Sequence, residues 1–181
     1  KFEAGHLPVL TSCFKCGKVR VTSRLFTEGD TQISDIRDYY RIELTNSSEE
    51  TAQGSLFIPI RSFGAAGGAI HSLKSSTHCV KINGAPVFVM GKEPEQFRTV
   101  SYAKTGKDIS CYLKKGQLPG QWETEDASGW ASGVLVYSYC LKPGESGIYD
   151  FMCRLHAGHW MVGKNLSYTE EIHWEETKER L

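Results

Sequence analysis

The residue types best suited to chemistry lie close together late in the chain, namely Cys153, His156 and Met161. The glycines at 158 and 163 predict a loop that bends at Gly158 and ends at Gly163. A short loop of this kind can bring a thiolate, an imidazole and a thioether onto one metal ion. Sulfur ligands are soft and favour Cu(I), while imidazole accepts both oxidation states of copper. The spacing therefore predicts a site for one copper ion.

A strand is predicted immediately before this loop. Tyr149, Phe151 and Cys153 alternate along residues 148–153, so they share one face of the strand. We expect the two aromatic side chains to pack inward and the thiol to emerge at the strand's end. A turn rich in Pro and Gly at 141–147 predicts that 134–141 and 148–153 form an antiparallel hairpin.

Strand signals dominate the rest of the chain, which predicts an all-β class. Residues 38–46 alternate apolar and polar side chains, as in a strand with one buried face. Residues 91–130 are interpreted as long loops with short strands. The only helix-like stretch is 169–181, predicted to be a C-terminal tail or a short helix. The predicted strands are 19–26, 39–45, 55–60, 79–82, 87–90, 134–141 and 148–153.

Length and charge limit the possible classes of protein. The 181 residues fit a single domain, 1–181, with 1–17 as an N-terminal extension. Because 21 Lys and Arg balance 21 Asp and Glu, we expect no nucleic-acid partner. No run reaches the roughly 18 apolar residues of a membrane span, and no signal peptide is recognisable. These features predict a soluble chain without a transmembrane segment.

The run Tyr-x-Phe-x-Cys-x2-His-x4-Met-Val-Gly-Lys, from Tyr149 to Lys164 and preceded by Pro-Gly-Glu at 143–145, resembles the copper loop of plastocyanin-type cupredoxins. The resemblance covers about a tenth of the chain. It implies a Greek-key β-sandwich with extra loops and a type 1 (blue) copper site. It further implies electron transfer between redox protein partners, no enzyme activity of its own, and an extracytoplasmic location.

The resemblance also implies a second histidine ligand from an upstream strand. His71 is the preferred candidate, because it follows a Gly-rich connection and precedes Ser72, which could hydrogen-bond a copper thiolate. His78 is the rival, because His78, Val80 and Ile82 alternate as an inward-facing strand would. The predicted copper ligands are thus His71, Cys153, His156 and Met161.

Several alternatives stay open at the level of sequence. The chain could be an extracellular binding domain with a cupredoxin fold but no copper, similar to ephrin-like domains. It could also be a copper-handling domain within a larger redox assembly. His159 could replace Met161 as a ligand, although a solvent-facing imidazole is the simpler interpretation.

Cys13 and Cys16 form a Cys-x2-Cys pair that fits a disulfide or two thiols better than a zinc site, because no second pair exists. A disulfide between Cys79 and Cys111 is possible.

Overall fold

The structure of the chain is a computed structural model that describes residues 2–3, 7–30, 35–62, 68–154 and 172–179. The strands are β1 (Phe2–Glu3), β2 (Leu7–Cys16), β3 (Val19–Asp30), β4 (Asp35–Asn46), β5 (Ala52–Arg61), β6 (Ser72–Ser75), β7 (Cys79–Ile82), β8 (Ala85–Met90), β9 (Gln96–Val100), β10 (Glu123–Glu125), β11 (Ser132–Leu141) and β12 (Ser146–Arg154). The helices are α1 (Tyr102–Thr105), α2 (Ile109–Leu113) and α3 (Trp174–Glu179).

The all-β class is confirmed, and the antiparallel sheets are those of a β-sandwich. Every predicted strand is present, and helix α3 lies within the predicted segment 169–181. Residues 91–130 differ from the prediction, because they contain α1 and α2 as well as β9 and β10. Both helices are single turns with capping side chains, Ser101 for α1 and Asp108 for α2. Elements this short have too few turns to show an apolar period in sequence.

By its internal contacts the chain divides into two compact units. The first unit comprises Lys1–Gly54, Val87–Lys92 and Tyr139–Leu181, and the second comprises Ser55–Pro86 and Glu93–Ser138.

In the first unit the strand order is β1-β2-β3-β4-β12-β8. Strand β12 is therefore internal, with β4 on one side and β8 on the other. The pairing with β4 runs without a break from Ser146↔Thr45 to Arg154↔Arg37. Because side chains alternate along a strand, this register fixes which residues of β12 face each side of the sheet.

One side of this sheet is covered by helix α3. Its Trp174 is 2% exposed and packs edge-on against Phe26, with 4.7 Å between ring centroids. Phe26 in turn stacks on Tyr39, and Met152 of β12 belongs to the same buried cluster. The Arg41 guanidinium lies 4.7 Å from the Trp174 ring. The cluster of Val9, Phe26, Tyr39, Met152 and Trp174 is the part of the first unit's core that lies on this side of the sheet.

The second unit contains the strand groups β7-β6-β10 and β5-β11-β9. Helix α2 packs on the second group, where Ile109 is fully buried with Val100, Val134 and Val136. The backbone N–H of Ile109 donates to Ser132 Oγ over 2.9 Å, which ties the helix start to β11.

The predicted hairpin between residues 134–141 and 148–153 is wrong. Strand β11 pairs with β5 and β9, whereas β12 pairs with β4 and β8, so the turn carries the chain from one sheet to the other. Asn46 holds this turn, since its buried side chain donates to Leu141 O over 2.9 Å and its backbone bonds both Gly144 and Glu145. The four-residue turn 142–145 is compatible with either connection, and Asn46 at the end of β4 lies far from this turn in the sequence.

Among the described residues, no helix is both long and apolar enough to cross a bilayer.

Replacement of Trp174 by Ala should lower the free energy of unfolding by about 3–5 kcal/mol, because it removes a buried aromatic side chain from the core of the first unit. Urea denaturation followed by circular dichroism measures the change. Trp122→Ala is the matched control, since Trp122 is 58% exposed, and its effect should stay within about 0.5 kcal/mol. Equal losses in the two variants would contradict the assignment of Trp174 to the core.

Candidate metal centre

Cys153 is the next-to-last residue of β12, where its backbone pairs with Asp38 of β4 and Phe88 of β8. Cross-strand partners share a face, so the thiol lies on the same side of the sheet as Phe88 and Phe151, whose ring centroids are 5.3 Å apart. The Cys153 side chain is partly buried. The predicted face of Tyr149, Phe151 and Cys153 is therefore present, with both aromatic side chains buried.

The surroundings of Cys153 disfavour a thiolate in the metal-free protein. Burial, and after it the negative charge of Asp38, raises the pKa of the thiol to about 11. Asp38 itself accepts a hydrogen bond of 2.6 Å from Thr27 Oγ1. A metal cation bound to this sulfur would displace the proton, because cysteine ligates as the thiolate.

The other predicted ligands of the loop, His156 and Met161, lie outside the described residues, as does His159. In the ranges that the structure does describe, no three His, Cys, Asp or Glu side chains are placed to hold a metal ion. The described part of the candidate centre is therefore Cys153 with its aromatic and acidic neighbours.

His71 belongs to the second unit, whereas Cys153 belongs to the first. Its ring has a defined orientation, because Nδ1 lies 3.2 Å from Asp126 O. When Nδ1 carries the proton and donates to this carbonyl, Nε2 is left as the acceptor. Histidine ligands in metal sites are commonly oriented by such a bond to a backbone carbonyl. The residue is exposed and immediately precedes β6, and the Cε1 and Nε2 atoms of its ring lie beside Gly129, where an added Cβ would be 3.1 and 3.4 Å away.

The rival candidate, His78, lies in the bend before β7. Val80 of that strand is fully buried, but His78 is exposed and does not continue its inward face. Its neighbour Cys79 is buried, with Sγ 3.0 Å from Ser76 Oγ.

A disulfide between Cys13 and Cys16 is excluded by the strand in which they lie. Three residues along β2 separate their Cα atoms by about 10 Å and place the side chains on opposite faces, whereas a disulfide requires less than about 7 Å. Both cysteines are exposed. All six cysteines lie in the described part of the chain, and none of them, Cys79 and Cys111 included, is in a disulfide.

Asp126 is a structural residue that the sequence did not reveal. Burial would raise the pKa of its carboxyl group, but hydrogen bonds from Ser128 Oγ, Ala103 N, Ser101 Oγ and Trp130 N outweigh burial and hold the pKa well below its usual range. Its backbone also bonds His71 at both N and O. The available signal was the Asp-Ala-Ser-Gly run at 126–129, which is typical of a side-chain-capped turn.

No protein-family model matches the chain, and no curated protein matches it.

In the folded protein, Cys153 should react with iodoacetamide at pH 8 at least about 100-fold more slowly than in urea, because the raised pKa leaves few thiolates. Mass spectrometry of the peptides that contain each cysteine measures the rates. Exposed Cys140 serves as the internal control and should change much less. Equal rates for Cys153 in the two conditions would show that the thiol is neither buried nor perturbed.

Asp126→Asn should lower the free energy of unfolding by about 1–3 kcal/mol at pH 7, because the carboxylate accepts several hydrogen bonds. Since the folded pKa is depressed, the charged group stabilises the fold above the unfolded pKa of about 4, and this contribution fades as the pH falls. Denaturation of both proteins from pH 7 to pH 3 should show a shrinking difference. Exposed Glu125→Gln is the control, and a difference that grew on acidification would contradict the account.

Proposed function

We propose that this chain is a cupredoxin-like Greek-key protein that transfers electrons between protein partners and binds one copper ion with Cys153, His156, Met161 and a second histidine. The observation that carries the proposal is the position of Cys153, a partly buried thiol near the end of an internal strand, which His156 and Met161 follow within eight residues of sequence.

The donor chemistry fits copper. One thiolate, two imidazoles and a weak thioether are the set that blue-copper sites use, and these ligands accommodate both oxidation states. When bound, copper would supply a one-electron couple.

The surrounding residues would keep water away from the thiolate and fix its direction. The rings of Phe88 and Phe151 lie on the same face of the sheet as the sulfur. Because β12 is paired on both sides, the Cys153 backbone would move little when the charge at the site changes. A site that is held in one geometry favours rapid electron transfer.

A copper-free binding domain is the second candidate, and one observation favours it. Leu10, Phe14 and Leu25 of β2 and β3 are exposed by 54%, 58% and 36%, and they lie on one face of the sheet. Exposed apolar side chains that are grouped in this way are typical of protein-binding surfaces.

The test is the visible absorption spectrum after addition of Cu(II). We expect an intense band in the red part of the spectrum from charge transfer between a cysteine thiolate and copper. Cys153→Ser should abolish the band, whereas Cys140→Ser, the matched control at an exposed cysteine, should retain it.

The remaining outcomes separate the candidates. Bound copper without the band would favour a copper-handling domain, and the absence of bound copper would favour the binding domain. A band that survives in Cys153→Ser would contradict the ligand assignment.

A further inference from the structure

Strand β5 (Ala52–Arg61) ends its sheet, with β11 as its only neighbour among the described strands. A strand at this position has one row of backbone N–H and C=O groups that its own sheet does not use. At ten residues it is long for an edge strand, because most strands have five or six. Long exposed edges are pairing sites unless they are covered or interrupted.

Pro59 identifies which backbone groups of β5 face away from β11. Proline has no N–H, so a strand tolerates it where the nitrogen points away from the neighbouring strand. Because the direction alternates along a strand, the backbone groups of Gln53, Ser55 and Phe57 point the same way as those of Pro59. In the described part of the chain, no turn or loop forms a backbone hydrogen bond with these three residues.

The side chains of β5 leave this edge approachable. Gln53, Ser55 and Phe57 are exposed and uncharged, and Phe57 is 43% exposed. Gly54 is packed against Tyr139 instead, since a Cβ atom at this glycine would lie 2.7 Å from the Tyr139 hydroxyl. The free edge lacks the lysine side chains that commonly protect exposed strands, and Pro59, which also limits pairing, lies near its end.

The charges at the two ends of β5 are opposite. Glu49 and Glu50 precede the strand and are exposed, and Arg61 ends it. Arg61 donates to Asp108 and Ser110 but keeps 41% of its side chain exposed. A strand with acidic residues at one end and a basic residue at the other is complementary to an antiparallel copy of itself.

We propose that β5 pairs with β5 of a second copy of this chain, antiparallel and about a two-fold axis at Ser55. In this register Ser55 faces Ser55 of the second copy, and Gln53 faces Phe57. Each of these pairs exchanges two backbone hydrogen bonds. Pro59 faces Thr51, where its missing N–H costs a bond only at the margin of the pairing. Arg61 of each copy faces Glu49 of the other, whereas Glu50 already pairs with Lys18.

This register can be tested by crosslinking. Ser55→Cys places two thiols opposite each other, with Cα atoms about 5.5 Å apart, so a short bismaleimide should join them. We expect at least about tenfold more covalent dimer than with the wild-type chain, which measures the background from the native cysteines. Gln53→Cys, on the same exposed face, is the matched control. Its thiols would lie about 14 Å apart and should not join.

Sedimentation velocity of the unmodified protein completes the test. At about 100 µM the wild type should sediment largely as a dimer. Ser55→Pro should be monomeric, because it removes an N–H that faces the second copy but leaves the ladder with β11 intact. Circular dichroism shows whether Ser55→Pro is folded. A monomeric wild type, a folded Ser55→Pro dimer, or crosslinking of Gln53→Cys as strong as that of Ser55→Cys would each overturn the proposal.

Discussion

The pairing of β12 with β4 and β8 is the constraint on which the first unit depends. It fixes the alternation of the strand, so that Met152 enters the core beneath α3 while Cys153 lies on the opposite face among aromatic side chains. A shift of the register by one residue would exchange these faces and bury the wrong set. The core of the unit and the position of its candidate ligand therefore have the same cause.

An ion-pair network fixes α3 on this sheet. The Arg41 guanidinium donates two hydrogen bonds to the Asp150 carboxylate, of 2.7 and 2.8 Å, and a third to Glu175. Burial lowers the pKa of Arg41, but Asp150 and Glu175 outweigh burial and raise it. Arg41 and Asp150 are both largely buried, so removal of Arg41 would take away the positive charge that offsets the Asp150 carboxylate. Glu175 and Trp174 are consecutive, which couples the network to the aromatic core.

The sequence predicted those features that local patterns determine. One example is the alternation of apolar and polar residues in β4, where Ile42 and Leu44 are buried as predicted. Another is the strand that carries Cys153, which its alternating aromatic residues predicted. The partners of β12 were not predictable, since they depend on β4, about a hundred residues earlier, and on contacts of Asn46 with a distant turn. Asp38 was missed as a neighbour of Cys153 for the same reason. Two of the four hydrogen bonds to Asp126 were likewise beyond reach, because their donors, Ser101 and Ala103, lie about 25 residues upstream.

Copper X-ray absorption of the loaded protein tests the central claim most directly, because it identifies the atoms that contact the metal. The account predicts one short copper–sulfur path with two nitrogen neighbours. It also predicts that Cys153→Ser loses this sulfur path, whereas Cys140→Ser keeps it. A coordination shell of nitrogen and oxygen alone in the wild-type protein would contradict the assignment of Cys153 as a copper ligand.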